Sequence, residues 1–219
     1  CLAVTPDETR DPLGVVDVDV WTRTGKSPSA QRKRQPETYA EIRQSDVLTE
    51  QDRWFAMVRR VEERFAGTSS VVHIMDSEAD DYVLLWKLVE ERRRFVLRLG
   101  CDRKLDAEAT GSDLGEKAFE FISKAEAIAT RDVVLTRRNR PLVGAGRSRT
   151  QPRAERLTRI AFRARSVVLV RPKLARKDAP KTLKINMLAA REEMAPEGEK
   201  PVEWLLFTSE PIETKEQIL

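Results

Sequence analysis

Cysteine and histidine are almost missing from this chain. Its 219 residues include two cysteines, Cys1 and Cys101, and one histidine, His73. Two thiols in a chain this long argue against a disulfide scaffold and for a reducing compartment. One imidazole cannot support a histidine metal cluster. Long apolar runs are missing too. None approaches the roughly 20 residues that span a bilayer, so no membrane partner is expected. The opening CLAVTPDETRD is short of apolar residues and has no basic leader, so it does not read as a secretion signal. What is present in quantity is charge: 35% of residues are charged, against 40% hydrophobic. That balance describes a charge-rich globular chain, long enough for one sizeable core or for a core with a smaller companion.

The net charge is only +4, but the bases are concentrated. Between Arg131 and Lys177 the acids are Asp132 and Glu155 alone, while arginine recurs, for example at Arg147, Arg149, Arg153, Arg156 and Arg159. Arginine's planar fork donates paired hydrogen bonds to phosphate. A stripe of this kind points to a polyanion, although a merely solvated face would look the same. The two ends are also unusual. Position 1 is Cys rather than Met, and WLLFTSEPIETKEQIL stops as a helix begins at Thr214. The chain is therefore expected to be a fragment.

Periodicity gives the organisation. LGVVDVDVW (residues 13–21) alternates as a half-buried strand does. TGKSPSAQRKRQP (24–36) reads as a loop. Thr49 is a candidate cap for a helix carrying Trp54, Met57, Val58, Val61 and Phe65 on one face, stopped by Gly67. SVVHIMD predicts a short strand. EADDYVLLWKLVEERRR predicts a helix with Tyr82, Leu85, Trp86 and Val89 inward, and RFVLRLG a second strand ended by Gly100. This order makes a βαβ unit with parallel, neighbouring strands. After Gly100 the runs KAFEFIS, RDVVLT, RLTRIAFRARSVVLVRP, KTLKINMLAARE and VEWLLFTSE alternate without a helical period. They predict an antiparallel β region over about residues 101–210.

The stretch VVHIMDSEAD carries the chemistry. An apolar strand ends abruptly at Asp76, with Glu78, Asp80 and Asp81 behind it. Ligands of α/β sheets bind at the carboxyl ends of parallel strands. A carboxylate there can hold a hard cation such as Mg²⁺, which takes one or two carboxylates together with phosphate oxygens. Alternatively, Asp76 caps the next turn by accepting from the amide of Glu78 or Ala79. The later acids are expected to form the acidic first turn of a helix.

Several blocks then carry a resemblance. MDSEADDY resembles the Asp-Arg-Glu-Ala-Asp segment that holds the second aspartate of bacterial DDE transposases in the insertion-sequence-four group, which includes transposon-five-like enzymes. LAVTPDETRDPLGVVDVDVWTR resembles the family's strand pair after its first aspartate. TEQDRW resembles the family's Glu-Ser-x-Arg/Lys-Trp helix start. RRRFVLRLGCDRK resembles the strand after the second aspartate. PVEWLLFTSEPIETKEQIL resembles its Trp-Leu-Leu-Leu-Thr-Ser-Glu-Pro segment. The blocks occur in family order and cover nearly the whole chain.

The resemblance implies an α/β fold: a partial RNase H-like core (1–100) interrupted by a β-rich insertion (101–210), with residues 211–219 starting the return to the core. It implies a fragment that cuts and joins transposon ends with Mg²⁺ or Mn²⁺, acting on double-stranded DNA, in a parent that dimerises on DNA in the bacterial cytoplasm. Asp76 takes the place of the second metal-binding, catalytic aspartate. Arg98, Arg103, Lys104, Arg147, Arg149 and Arg153 are the expected DNA-binding bases. Trp204 falls where the family has a tryptophan that stacks on a flipped base, while the residues alone point to packing within the sheet. Strand alternation sets Trp204 and Leu206 on one face, and Leu205 and Phe207 on the other. The sequence departs from the pattern at Ser77, Gln51 and Gly100. The family's first aspartate and its glutamate lie outside the chain, so the fragment is expected to be inactive alone. Two other readings stand beside this one: a DNA-binding module without chemistry that uses the arginine-rich region, and a nuclease that builds its site from Asp17, Asp19 and Asp76.

Overall fold

The computed structural model describes residues 1–7, 9–20, 50–138 and 152–219. The expectations for Trp21, the loop at 24–36, the Thr49 cap and both Arg147 and Arg149 lie outside these residues. The chain is mixed α/β and divides into two compact units. The first is Cys1–Gly100 with Val170–Leu183, and the second is Cys101–Leu169 with Lys184–Leu219. Among the described residues there are two sheets, one of two strands and one of six, the larger mixed in direction.

In the first unit, β1 (Leu2–Val4) and β2 (Pro12–Val15) form an antiparallel hairpin. The alternation predicted over residues 13–21 is realised only as far as Val15, and its burial is inverted. Val15, Val18 and Val20 are exposed, while Asp17 is buried. The reason is an ion-pair clamp. Arg60 reaches the Asp17 carboxylate at 2.6 Å and Arg64 at 3.6 Å, and Arg64 also donates to the Val16 carbonyl. Both arginines stand on helix α1 (Glu50–Phe65).

Helix α1 buries Phe55, Val58 and Val61, three residues apart, with Trp54, Met57 and Phe65 half-buried beside them. That is one helical stripe. It ends in Gly67, whose φ of +74° is left-handed backbone, while the Thr68 and Ser69 amides fold back onto the Phe65 carbonyl. Strand β3 (Val72–Met75) follows, then a 3₁₀ turn over Ser77–Ala79, helix α2 (Tyr82–Glu90) and strand β4 (Arg94–Arg98). Strands β3 and β4 pair in parallel with His73 opposite Phe95 and Met75 opposite Leu97. The βαβ unit read from the sequence is thus present.

Its helix sits deeper than a one-sided stripe predicts. Tyr82, Val83, Leu84, Leu85 and Leu88 are all buried, while Trp86 and Val89 are only half-buried. A helix apolar nearly all round is a core helix. Each of its fully buried leucines contributes about 1.5–3 kcal/mol by leaving water. α2 packs on α1. Lys87 reaches Asp52 at 2.9 Å, and the cations of Arg59 and Lys87 lie 5.2 and 5.3 Å from the centre of the Phe55 ring. The returning segment is tied in by the Tyr82 hydroxyl, which donates to the Pro180 carbonyl at 3.0 Å.

In the second unit, β5 (Ala129–Leu135) runs antiparallel to β6 (Arg156–Val170), and β7 (Thr182–Glu192) antiparallel to β8 (Glu203–Thr208). The order is β8-β7-β6-β5. Short helices α3 (Ala107–Thr110) and α4 (Ala118–Ser123) precede these strands. The KAFEFIS run is therefore a helical turn rather than a strand. Ala118 and Ile122, four apart, are both fully buried, and Asp102 accepts from the Phe119 amide at 3.0 Å. The final helix, α5 (Lys215–Ile218), carries a reciprocal cap between Thr214 and Gln217.

One buried ion pair links β6 to β7. The Arg156 guanidinium grips the Glu192 carboxylate at 2.8 and 3.0 Å, and the Val202 amide donates to the same carboxylate at 3.0 Å. Arg156 also reaches Glu199 at 2.6 Å. The Glu192 side chain has no exposed surface. Its hydrogen bonds from Arg156 hold its pKa down to about 2, against the effect of burial.

Candidate functional site

Asp76 is the first residue past β3, at the carboxyl end of a parallel strand and exposed. Its backbone is extended, with φ −83° and ψ −176°, and its Oδ1 accepts from the Glu78 amide at 3.0 Å. Of the two local readings, the capping one is thus realised. That bond leaves Oδ2 without a protein hydrogen bond among the described residues. Register places a second functional candidate at the same edge. Met75 is paired with Leu97, so Asp76 and Arg98 occupy the next position on adjacent strands. Arg98 is exposed and takes no ion pair among the described residues. An acid and an arginine therefore close the carboxyl end of this strand pair side by side.

The acids behind Asp76 do not form one acidic helical turn. They take separate structural roles. Asp81 is buried and caps α2, accepting from the Val83 amide at 2.8 Å and the Leu84 amide at 3.3 Å. Asp80 turns the other way and accepts from the Gly100 amide at 2.8 Å. Only Glu78 stays on the short 3₁₀ turn. Gly100 is itself constrained: a Cβ there would meet the Ser77 carbonyl oxygen at 2.9 Å, inside any normal contact. The glycine that departs from the basic residue of the resembled pattern is therefore what lets β4 approach this turn.

Asp17 and Asp19 are not drawn into the site. Asp17 is held by Arg60 and Arg64, and the Arg60 hydrogen bond lowers its pKa below the usual carboxylate range. Asp19 lies 4.0 Å from Arg53. A carboxylate neutralised by two guanidiniums has its lone pairs and charge already engaged. The nuclease reading built on Asp17, Asp19 and Asp76 lacks its first ligand for that reason.

The implied Mg²⁺ (or Mn²⁺) meets a poor donor set. Among the described residues no three His, Cys, Asp or Glu side chains are grouped to hold a metal ion. Near Asp76 the carboxylates of Asp80 and Asp81 are turned to amides, as described above. One carboxylate does not fix a two-ion site, so the residues present do not fit it.

The remaining DNA-binding candidates lie in the second unit. Lys104 is exposed, but Arg103 is 8% exposed and belongs to the interior. Arg153 donates to the Thr136 carbonyl at 3.2 and 2.9 Å, and its backbone pairs with that of Arg138. Many arginines of the basic span are likewise engaged within the protein. Arg159 pairs with Asp132, Arg163 donates to the Ala125 carbonyl, and Arg176 pairs with Asp178. In the returning segment of the first unit, Arg171 donates to the carbonyls of Lys177 and Ala179. Exposed Arg137, Arg138 and Arg165 take no side-chain partner among the described residues. Counting arginines along the sequence therefore overstates the charge left for a polyanion.

Trp204 stands opposite Ala190 on β8 and is half-buried. Its ring packs with Leu206 and Ile218 against Ile160, Leu188 and Ala190. Phe207 on the opposite face is fully buried. Both faces of β8 thus carry apolar contacts, and both are partly open, at Trp204 and Leu206 on one side and at Leu205 on the other. A scan against protein-family models finds no match for the chain. No described helix is long and apolar enough to cross a membrane.

Proposed function

We propose that this chain is part of the catalytic domain of a DDE-type DNA transposase, contributing one aspartate of the acid triad and part of the DNA-facing surface. The observation that carries the reading is Asp76. It is an exposed carboxylate at the carboxyl end of a parallel strand, beside the exposed Arg98, inside the block that resembles the family's second-aspartate segment. The other resembling blocks, in family order, support it. The fold contributes a coarser point, a parallel βαβ core followed by antiparallel strands. Double-stranded DNA is the proposed partner, through Arg98, Lys104 and the exposed Arg137, Arg138 and Arg165, and the bacterial cytoplasm is the proposed site of action.

The chain alone does not process DNA on this reading, because one carboxylate cannot position both ions of an in-line displacement. The test uses the complete product of the gene that encodes these residues. Asp76→Ala and Asp76→Asn should each abolish excision of the element from a donor plasmid, with protein level and melting temperature unchanged. Excision at the unsubstituted rate in either variant refutes the proposal. Asp76-dependent nicking by the 219-residue chain itself, in Mg²⁺ or Mn²⁺, refutes the incompleteness.

A further inference from the structure

We infer that Asp80 and Gly100 are positioning residues that aim the Asp76 carboxylate. This deepens the proposed function and rests on Asp76 being the functional acid of this edge. The Ser77–Ala79 turn links Asp76 to Asp80. It is tied to Asp76 by two bonds: the Ala79 amide donates to the Asp76 carbonyl at 3.2 Å, and the Glu78 amide donates to Asp76 Oδ1 at 3.0 Å. The second bond sets the direction of the carboxylate, since Asp76 is exposed and one extended residue beyond the strand. The direction is therefore only as definite as the turn that carries the Glu78 amide.

Two features outside the turn fix it. Asp80 Oδ2 accepts from the Gly100 amide at 2.8 Å, joining the far end of the turn to the chain just past β4. The missing side chain at Gly100 lets the Ser77 carbonyl oxygen come within 2.9 Å of where a Cβ would stand. Ala79, between them, is fully buried and anchors the middle. Without the Asp80 bond or the glycine, the turn lifts from β4, and the Glu78 amide no longer holds Asp76. Asp81 does different work: it caps α2 and does not touch Gly100 among the described bonds. Adjacent aspartates thus divide helix capping from carboxylate aiming.

The test is residue-resolved amide hydrogen exchange on the 219-residue chain, with no metal or DNA present. In Asp80→Ala the Glu78 and Gly100 amides should exchange roughly fivefold faster or more, as loss of about one hydrogen bond implies. The Leu85 and Phe95 amides, which report the core, should keep their rates. Asp80→Asn retains an acceptor oxygen and should restore protection at Glu78. Gly100→Ala should expose Glu78 in the same way, through the clash with Ser77. Unchanged Glu78 exchange in Asp80→Ala overturns the inference. A uniform acceleration that includes Leu85 and Phe95 also overturns it, because it reports lost stability rather than lost aim. These readouts are separate from excision, so a failed transposase reading and a failed positioning reading give different results.

Discussion

Replacing Glu192 by Gln should lower stability at neutral pH by about 2–3 kcal/mol, and the deficit should vanish in acid. The magnitude follows from the structure. Glu192 has a pKa near 4.5 when unfolded and about 2 when folded, held down chiefly by Arg156. A difference of that size corresponds to about 3 kcal/mol of folded-state preference for the charged form at pH 7. A second argument gives a similar figure. Removing one partner of a buried pair typically costs about 3–5 kcal/mol because the other charge is left stranded. Here Arg156 keeps Glu199 and a partly exposed side chain, so the lower part of the range applies.

The sign is fixed by the direction of the shift. A carboxyl whose folded pKa is depressed stabilises fully above its unfolded pKa, here above 4.5. That stability fades as pH falls through the window down to the folded value of about 2. Glutamine cannot ionise, so the variant lacks this contribution at every pH. The melting temperature of Glu192→Gln should be about 5–10 °C below that of the unsubstituted chain at pH 7, given about 2–4 °C per kcal/mol for a chain of this size. The gap should close progressively below pH 4.5. Calorimetry at pH 7, 5, 4 and 3 reads both quantities. Equal melting temperatures at pH 7 would refute the burial argument, and a gap that stayed constant down to pH 3 would refute the electrostatic one.

Trp204→Ala should cost about 2–3 kcal/mol in a urea titration, below the range of about 3–5 kcal/mol for fully buried aromatics, because the ring is half-buried against Ile160, Leu188 and Ala190. A loss under 0.5 kcal/mol, in the range of an ordinary exposed residue, would mean that the ring does not pack there. Binding of duplex DNA, followed by fluorescence anisotropy, should weaken with salt at a log–log slope of about −0.9 per phosphate contact. Arg137→Ala with Arg138→Ala should flatten that slope. Arg153→Ala should leave it nearly unchanged and lower the melting temperature instead, because Arg153 is bonded to the Thr136 carbonyl. The opposite ranking would show that the internal arginine bonds open on DNA.

Elements with a strong local period were legible in the sequence, and those decided by a distant partner were not. The helix α1 with its buried Val58 and Val61, the parallel pair β3 and β4, and β5 to β8 followed from apolar spacing, because burial acts on each element's own pattern, although the buried Phe55 was not on the expected face of α1. The alternation after Leu13 misled, since the residue that burial selects there is Asp17, stabilised by two arginines on a helix dozens of residues away. KAFEFIS alternates over too few residues to separate a strand from a helical turn in which Ala118 and Ile122 share a face. The basic span was legible as charge but not as available charge. Whether an arginine faces solvent or a carbonyl is a tertiary fact, as Arg153 and Arg163 show.

The site edge shows the same division at the scale of four acids. In sequence, Asp76, Glu78, Asp80 and Asp81 are one acidic run, and helix-dipole reasoning treats them alike. In the fold the three aspartate carboxylates meet different donors, on either side of the short 3₁₀ turn over Ser77–Ala79. Asp81 faces the α2 amides, Asp80 faces Gly100, and Asp76 is left exposed at the strand end with Oδ1 bonded to the Glu78 amide. Among the described residues Asp76 accepts only from the amide two residues on and pairs with no cation, so the carboxylate is held in direction without being neutralised. That combination, a directed carboxylate beside the exposed Arg98 at the carboxyl edge of parallel strands, is the geometry on which the proposed role of Asp76 rests.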